Sequence, residues 1–159
     1  MITISDYSNR RGALVPLLKP IYSILSQNVG EIENIIFWQQ KMRKNLVDIS
    51  WRFLVAKQEA DLVGFFFYRY SGTNIYIEEL QLAKAYRNNQ QALDGLLKKL
   101  EQDHNAKTAT FFSNDRMKLE HNKEILASVG FKDTFEDGWE NLGGFESAVN
   151  AIKVRYSRT

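Results

Sequence analysis

The stretch IYIEELQLAKAYRNNQQALDGLLKKL, Ile75 to Leu100, changes its hydrophobic period halfway along, and that change decides the reading of the chain. Its first part, with Asn74 before it, is rich in β-formers as far as Leu82 and predicts a strand. The polar run from Arg87 to Gln91 follows. From about Gln90 to His104, Leu93, Leu96, Leu97 and Leu100 recur at helical spacing and predict a helix with one apolar stripe. Thr108–Phe112 is again rich in β-formers. Strand, loop, helix and strand in succession make a right-handed crossover, so Ile75–Leu82 and Thr108–Phe112 should be adjacent and parallel.

Upstream, Arg52–Lys57 and Leu62–Tyr70 read as a hairpin joined by the polar turn Gln58-Glu59-Ala60-Asp61. Phe65-Phe66-Phe67 is apolar on both faces, as in a strand covered on both sides. A helix is expected from about Glu31 to Leu46, with Ile32, Ile35, Ile36, Gln39, Met42 and Leu46 on one face; Trp38 and Met42 read as core. An earlier helix follows Leu14, Leu17, Leu18, Ile21 and Leu25, with Asn9 a candidate cap. Pro16 and Pro20 should kink or restart it, since an interior proline removes a backbone donor and clashes with the preceding turn. Ile2-Thr3-Ile4 suits a short first strand. Downstream, Arg116–Val129 reads as a helix closed by Gly130, and the tail holds one or two strands, the clearer being Ala151–Tyr156. The order β-α-α-β-β-β-α-β-α-β-β predicts an α/β (α+β) fold, a mixed sheet with helices on both faces.

The 159 residues suit a single domain over 1–159, with 44% apolar and 25% charged residues as in a globular protein. A net charge of +2 with scattered basic residues argues against nucleic acid as a partner. The absence of cysteine excludes disulfides, thiolate nucleophiles and cysteine-ligated metals. The start, Met1-Ile2-Thr3-Ile4-Ser5-Asp6, has no basic or long apolar segment of a signal. The apolar run Leu62–Tyr68 is too short to cross a membrane. The expectation is a cytoplasmic protein without a membrane partner.

Three stretches, FLVAKQEADLVGFFFY (Phe53–Tyr68), the quoted Ile75–Leu100 and NKEILASVGFK (Asn122–Lys132), resemble in order and spacing the GNAT superfamily of acyl-CoA N-acyltransferases. The resemblance covers roughly 51–132. It implies a central sheet of six or seven strands, whose fourth and fifth strands splay apart at their ends. It further implies coenzyme A binding, with acetyl-CoA as acyl donor, no metal, a small amine or peptide amine as acceptor, and room for a homodimer. The family motif Arg/Gln-x-x-Gly-x-Gly/Ala falls on Arg87, Asn88, Asn89, Gln90, Gln91 and Ala92. Its backbone N–H groups and the helix N-terminus behind them suit the coenzyme pyrophosphate. Arg87 and Ala92 match, whereas Gln90 replaces the first glycine. If that position requires positive φ, its Cβ costs about 1–2 kcal/mol. The same three polar residues, Asn88-Asn89-Gln90, would also serve simply as a turn that caps a helix.

N-acylation requires a neutral amine, and a lysine-type amine has a pKa near ~10.4, so a base must take its proton. The resemblance places that base on the fourth strand, at the positions held here by Glu78 and Tyr76; Glu78 is the candidate base, with Glu79 behind it. Strict alternation puts Tyr76, Glu78, Leu80 and Leu82 on one face and Glu79 on the other. Apolar neighbours would raise the pKa of Glu78; alternatively either glutamate pairs with a cation across the sheet. The backbone at Leu80 and Leu82 is implied to hold the pantetheine arm and the acyl carbonyl. The family's usual acid, a tyrosine, is replaced by Leu126, and a frequent asparagine by Leu119. If Asn114 is that asparagine, the corresponding later position is His121, a candidate proton shuttle. His104 suits a helix C-terminus.

Asp133, Glu136, Asp137 and Glu140 surround Gly138-Trp139 after the Gly-Phe step. They read either as a loop attracting a cationic amine by field and cation–π contact, or as a solvated acidic loop. Two functions follow from the resemblance. One is an acyl-CoA N-acyltransferase working by direct transfer; the other is a catalytically inactive GNAT-fold binding or regulatory protein.

Overall fold

A computed structural model describes residues 1–28, 33–72, 74–86, 89, 91–92, 94–96, 98–99, 108–113, 124, 127, 132–141 and 150–157. For 71, 108–109, 111–113, 132–141 and 150–157 it describes the backbone alone. The first strand, β1 (Ile2–Asp6), leads into a 3-10 turn, Arg11–Leu17, that holds Pro16, and the helix α1 (Leu18–Asn28) starts afresh behind it. Pro20 then lies in the first turn of α1, where a missing N–H leaves no bond unmade. Asn9 is not a cap: Arg10 holds that position, without a side-chain hydrogen bond.

The second helix, α2 (Ile35–Leu46), begins later than periodicity suggested, because Asn34 caps it, accepting from the N–H of Ile36 at 2.9 Å. Its buried stripe is Trp38, Met42 and Leu46, while Ile36 is 64% exposed. The bulk of Trp38, edge-on to Tyr22 with centroids 5.4 Å apart, sets the rotation of the helix and turns Ile36 to water. Ile32 lies outside the described residues.

Four strands then run antiparallel in sequence: β1, β2 (Arg52–Gln58), β3 (Asp61–Ser71) and β4 (Asn74–Leu82). Glu59 makes the β2–β3 turn at φ 56°, alone in that region among the described non-glycine residues. Beyond β4 lie β5 (Thr108–Ser113), β6 (Lys132–Asn141) and β7 (Asn150–Ser157), giving the sheet order β1-β2-β3-β4-β5-β7-β6. The β4–β5 pair is parallel and every other pair antiparallel.

Two cores flank the sheet. On one face α1 and α2 cover Phe53, Val55, Phe65 and Phe67. On the other, helical residues within 91–99 bring Ala92 and Leu96 against Leu54, Phe66 and Tyr68. Phe65, Phe66 and Phe67 are fully buried because both faces are covered. The second helix layer sits close: a Cβ on Gly95 would come within 2.9 Å of Ile4 Cγ1. Leu93, Leu97, Leu100 and His104 lie outside the described residues, as does most of the expected helix over 116–129, where 124 and 127 are helical.

Candidate functional site

Along β3 and β4, Phe67 faces Glu79 but Tyr68 faces Ile77, so Glu78 is an extra residue in the ladder. This is a β-bulge, and one inserted residue reverses the parity of all that follows. Ile75 and Ile77 before it and Leu80 and Leu82 after it consequently enter the same core. The expectation that Tyr76, Glu78, Leu80 and Leu82 share a face is therefore corrected. Tyr76 pairs with Arg69, and Glu79 accepts from Gln81 Nε2 at 3.1 Å.

The parallel ladder runs from Asn74–Thr108 to Ile77–Phe111 and stops. Past this point β5 stays with β7, while β4 continues to Leu82 with no β5 partner among the described residues, so the pairing between them parts at Glu78. Which backbone groups β4 turns away from β3 follows from hydrogen-bond phase. The Ala83 N–H donates to Val63 O at 2.8 Å, around the Gly64–Leu82 pair. That makes Gly64–Leu82 a non-hydrogen-bonded pair, and the backbone groups of Leu82, and of Leu80 two residues earlier, point away from β3. The end of α1 clasps this edge. Asn28 Nδ2 donates to Leu82 O at 2.6 Å, and Lys84 N–H donates to Gln27 Oε1 at 2.8 Å. Neither contact had a sequence signal, since each spans more than fifty residues.

Glu78 both pairs and is desolvated. Arg69 Nε donates to its Oε1 at 2.6 Å. Burial pushes the carboxyl above its ordinary value of 4.5, and the Arg69 charge and hydrogen bond only partly oppose this. Beside the pair lies a cavity of about 440 Å³ lined by Ile49, Ser50, Arg52, Arg69, Tyr70 and Tyr76. Arg52 and Arg69 went unnoticed in the sequence, though two arginines at the ends of apolar strands are a visible departure from the pattern.

The segment after β4 is tied down by its own backbone: Tyr86 N–H donates to Ala83 O at 2.7 Å and Asn89 N–H to Tyr86 O at 2.9 Å. Asn89 Oδ1 accepts from Gln91 N–H at 3.0 Å and from Ala92 N–H at 3.3 Å. Asn89 thus caps the helix behind it, using donors that an anion would use. Arg87, Asn88 and Gln90 lie outside the described residues, as do Asn114, Leu119, His121, Leu126 and Gly130. Asp133, Glu136, Asp137 and Glu140 belong to strand β6 rather than to a loop. Register shifts between Asp133 and Phe135 and between Glu136 and Trp139 take up the irregularity that made the segment look like a loop. Among the described residues no helix is long and apolar enough to cross a membrane.

No family profile matches the sequence, and no curated protein does. Solved structures do match. The aminoglycoside 6'-N-acetyltransferase from Enterococcus faecium superposes with a TM-score of 0.62 at 15% identity, over 98% of this chain and 96% of that one. The ribosomal-protein-S18-alanine N-acetyltransferase from Escherichia coli gives 0.62 at 13% identity, over 100% and 96%. The PaiA N-acetyltransferase from Thermoplasma acidophilum, in complex with coenzyme A, gives 0.55 at 14% identity, over 96% and 98%.

Proposed function

We propose that this chain, which has the fold of the GNAT acetyltransferases, is an acyl-CoA-dependent N-acyltransferase that moves an acetyl group directly to an amine. The observation that carries the reading is the bulge at Glu78, set where β4 runs on past its pairing with β5 and turns the backbone groups of Leu80 and Leu82 away from β3. In this reading that edge holds the pantetheine arm. The segment 87–92, with Arg87, Asn88, Asn89, Gln90, Gln91 and Ala92, holds the pyrophosphate, and Asn89 gives up its cap to the phosphate oxygens. The geometry fits an anion there, because the N–H groups of Gln91 and Ala92 converge on a single acceptor.

Glu78 takes the proton from the acceptor ammonium. Its desolvation makes it a stronger base than an exposed glutamate, and Arg69 orients it. The neutral amine then attacks the thioester carbonyl; the new N–C bond forms, the C–S bond breaks, and the proton that the nitrogen sheds passes through water to the leaving thiolate. His121 is the second candidate for proton transfer. Two of the similar structures are named for acetyl transfer to an aminoglycoside and to a ribosomal-protein alanine. Both acceptors are amines, and the amine is all that is carried over.

The test is calorimetry with acetyl-CoA together with thiol release over a panel of amines. Binding plus amine-dependent thiol release is expected. Absence of binding at millimolar acetyl-CoA would overturn the reading.

A further inference from the structure

We infer that Asn28 is a latch on the coenzyme site: its side-chain amide holds the Leu82 carbonyl that the pantetheine arm needs, so the arm enters only where that amide lets go. This rests on the acyl-transfer reading of the same β4 edge and concerns how the coenzyme gains that edge.

The helix marks the latch as an exception. Leu18, Ile21 and Leu25 follow one another along the buried stripe of α1, and the next position of that stripe is Asn28. Asn28 is 3% exposed. A carboxamide so placed destabilises the fold unless it is hydrogen-bonded, and this one donates through Nδ2 to Leu82 O at 2.6 Å. Beside it, the exposed Gln27 accepts from the Lys84 N–H at 2.8 Å. The two carboxamides thus take the carbonyl before Ala83 and the N–H after it, while the Ala83 N–H itself goes to β3. One residue of a parallel neighbouring strand would make the same pair of bonds. The parallel neighbour of β4 is β5, whose pairing among the described residues ends at Ile77–Phe111. At Leu82 the end of α1 takes that place with side chains.

A pantetheine arm competes for the same groups. Its amides are peptide-like, and their N–H groups need acceptors when they leave water. On this stretch of β4 the carbonyls turned away from β3 are those of Leu80 and Leu82. Leu82 is fully buried, so its carbonyl is closed to an incoming donor while Asn28 holds it. An arm amide that replaces the Asn28 amide leaves that carbonyl satisfied, and the cost of entry falls on freeing Asn28. The measured affinity is then the intrinsic affinity multiplied by the fraction of molecules whose latch is open.

The test is calorimetry on the full chain with two ligands: coenzyme A, and adenosine 3',5'-bisphosphate, which has the nucleotide but no arm. Urea unfolding of each variant is measured alongside. Asn28→Ala should lower the urea midpoint and yet tighten coenzyme A roughly 3- to 10-fold, the equivalent of one hydrogen bond. Its affinity for adenosine 3',5'-bisphosphate should not change. The opposite signs are the signature of a latch, because a residue that merely shapes β4 moves stability and affinity down together. Asn28→Leu continues the apolar stripe without the donor; it should tighten coenzyme A in the same way, and it decides the matter if Asn28→Ala does not fold. Unchanged or weaker binding of coenzyme A to the variants, or equal tightening of both ligands, would overturn the latch and leave acyl transfer standing. No binding of coenzyme A to the wild type or to either variant would remove acyl transfer, and the latch with it.

Discussion

Burial and an ion pair act on Glu78 in opposite directions, and burial wins: the carboxyl titrates above 4.5 although Arg69 Nε stands 2.6 Å away. A base works only when ionised, so kcat/KM should rise with pH along a limb placed above that of an ordinary glutamate. Arg69 lowers the pKa, so Arg69→Gln should move the limb to still higher pH, which a pH–rate profile reads directly. Glu78→Gln keeps the shape and removes the base; turnover at neutral pH should fall by roughly 10²–10⁴ while coenzyme affinity holds. Equal rates in the two proteins would take Glu78 out of the mechanism. The same shift has a stability consequence. The folded pKa lies above the unfolded one, so the contribution is fully present below about 4.5 and is lost as pH rises through the raised value. That component should vanish from the pH–stability curve of Glu78→Gln, measured by urea unfolding at a series of pH values.

At the scale of the element, β4 is held so closely on both edges that small changes should register. A Cβ on Gly64 would meet Leu82 Cδ2 at 2.6 Å and Gln81 O at 3.0 Å. The second contact is with backbone, which cannot rotate away. Gly64→Ala should therefore cost about 1–3 kcal/mol, seen as a lower urea midpoint, and should push the Leu80–Leu82 edge away from β3. Asn89 works in the other direction. Asn89→Ala removes a cap worth about 1 kcal/mol and should lower the melting temperature of the free protein, yet enlarge the rise that coenzyme A produces. A smaller rise would show that Asn89 itself holds the coenzyme. The limits of β4 and the Phe65–Phe67 burial were legible because composition and turn chemistry mark them locally. The bulge was not, because nothing in Ile77-Glu78-Glu79 distinguishes an inserted residue from one in register; only the pairing with Phe67 and Tyr68 does. The rotation of α2 escaped for a similar reason: Ile35, Ile36, Phe37 and Trp38 are all apolar, and packing against Tyr22 chose among them.

Across the whole molecule, the two cores meet the place where β4 and β5 part from opposite faces, and each supplies one part of the proposed coenzyme site. The face with α1 contributes Asn28 and Gln27 at the end of β4; the face with Ala92 and Leu96 contributes the capped helix. A ligand lying along β4 and ending at that helix would touch both layers and the sheet between them, so binding should stabilise the cooperative unit rather than one edge of it. The size of the effect can be stated beforehand. A ligand present at 100 times its Kd and bound only by the folded state adds about 2.7 kcal/mol. For a domain of this length each kcal/mol moves the melting temperature by roughly 2–4 °C. Saturating acetyl-CoA should thus raise Tm by about 5–10 °C, in a single transition. A rise confined to an early, partial transition would mean that the coenzyme holds only the segment around Asn89. No rise at millimolar acetyl-CoA would mean that the place where β4 and β5 part is not a coenzyme site, and the proposed activity would fall with it.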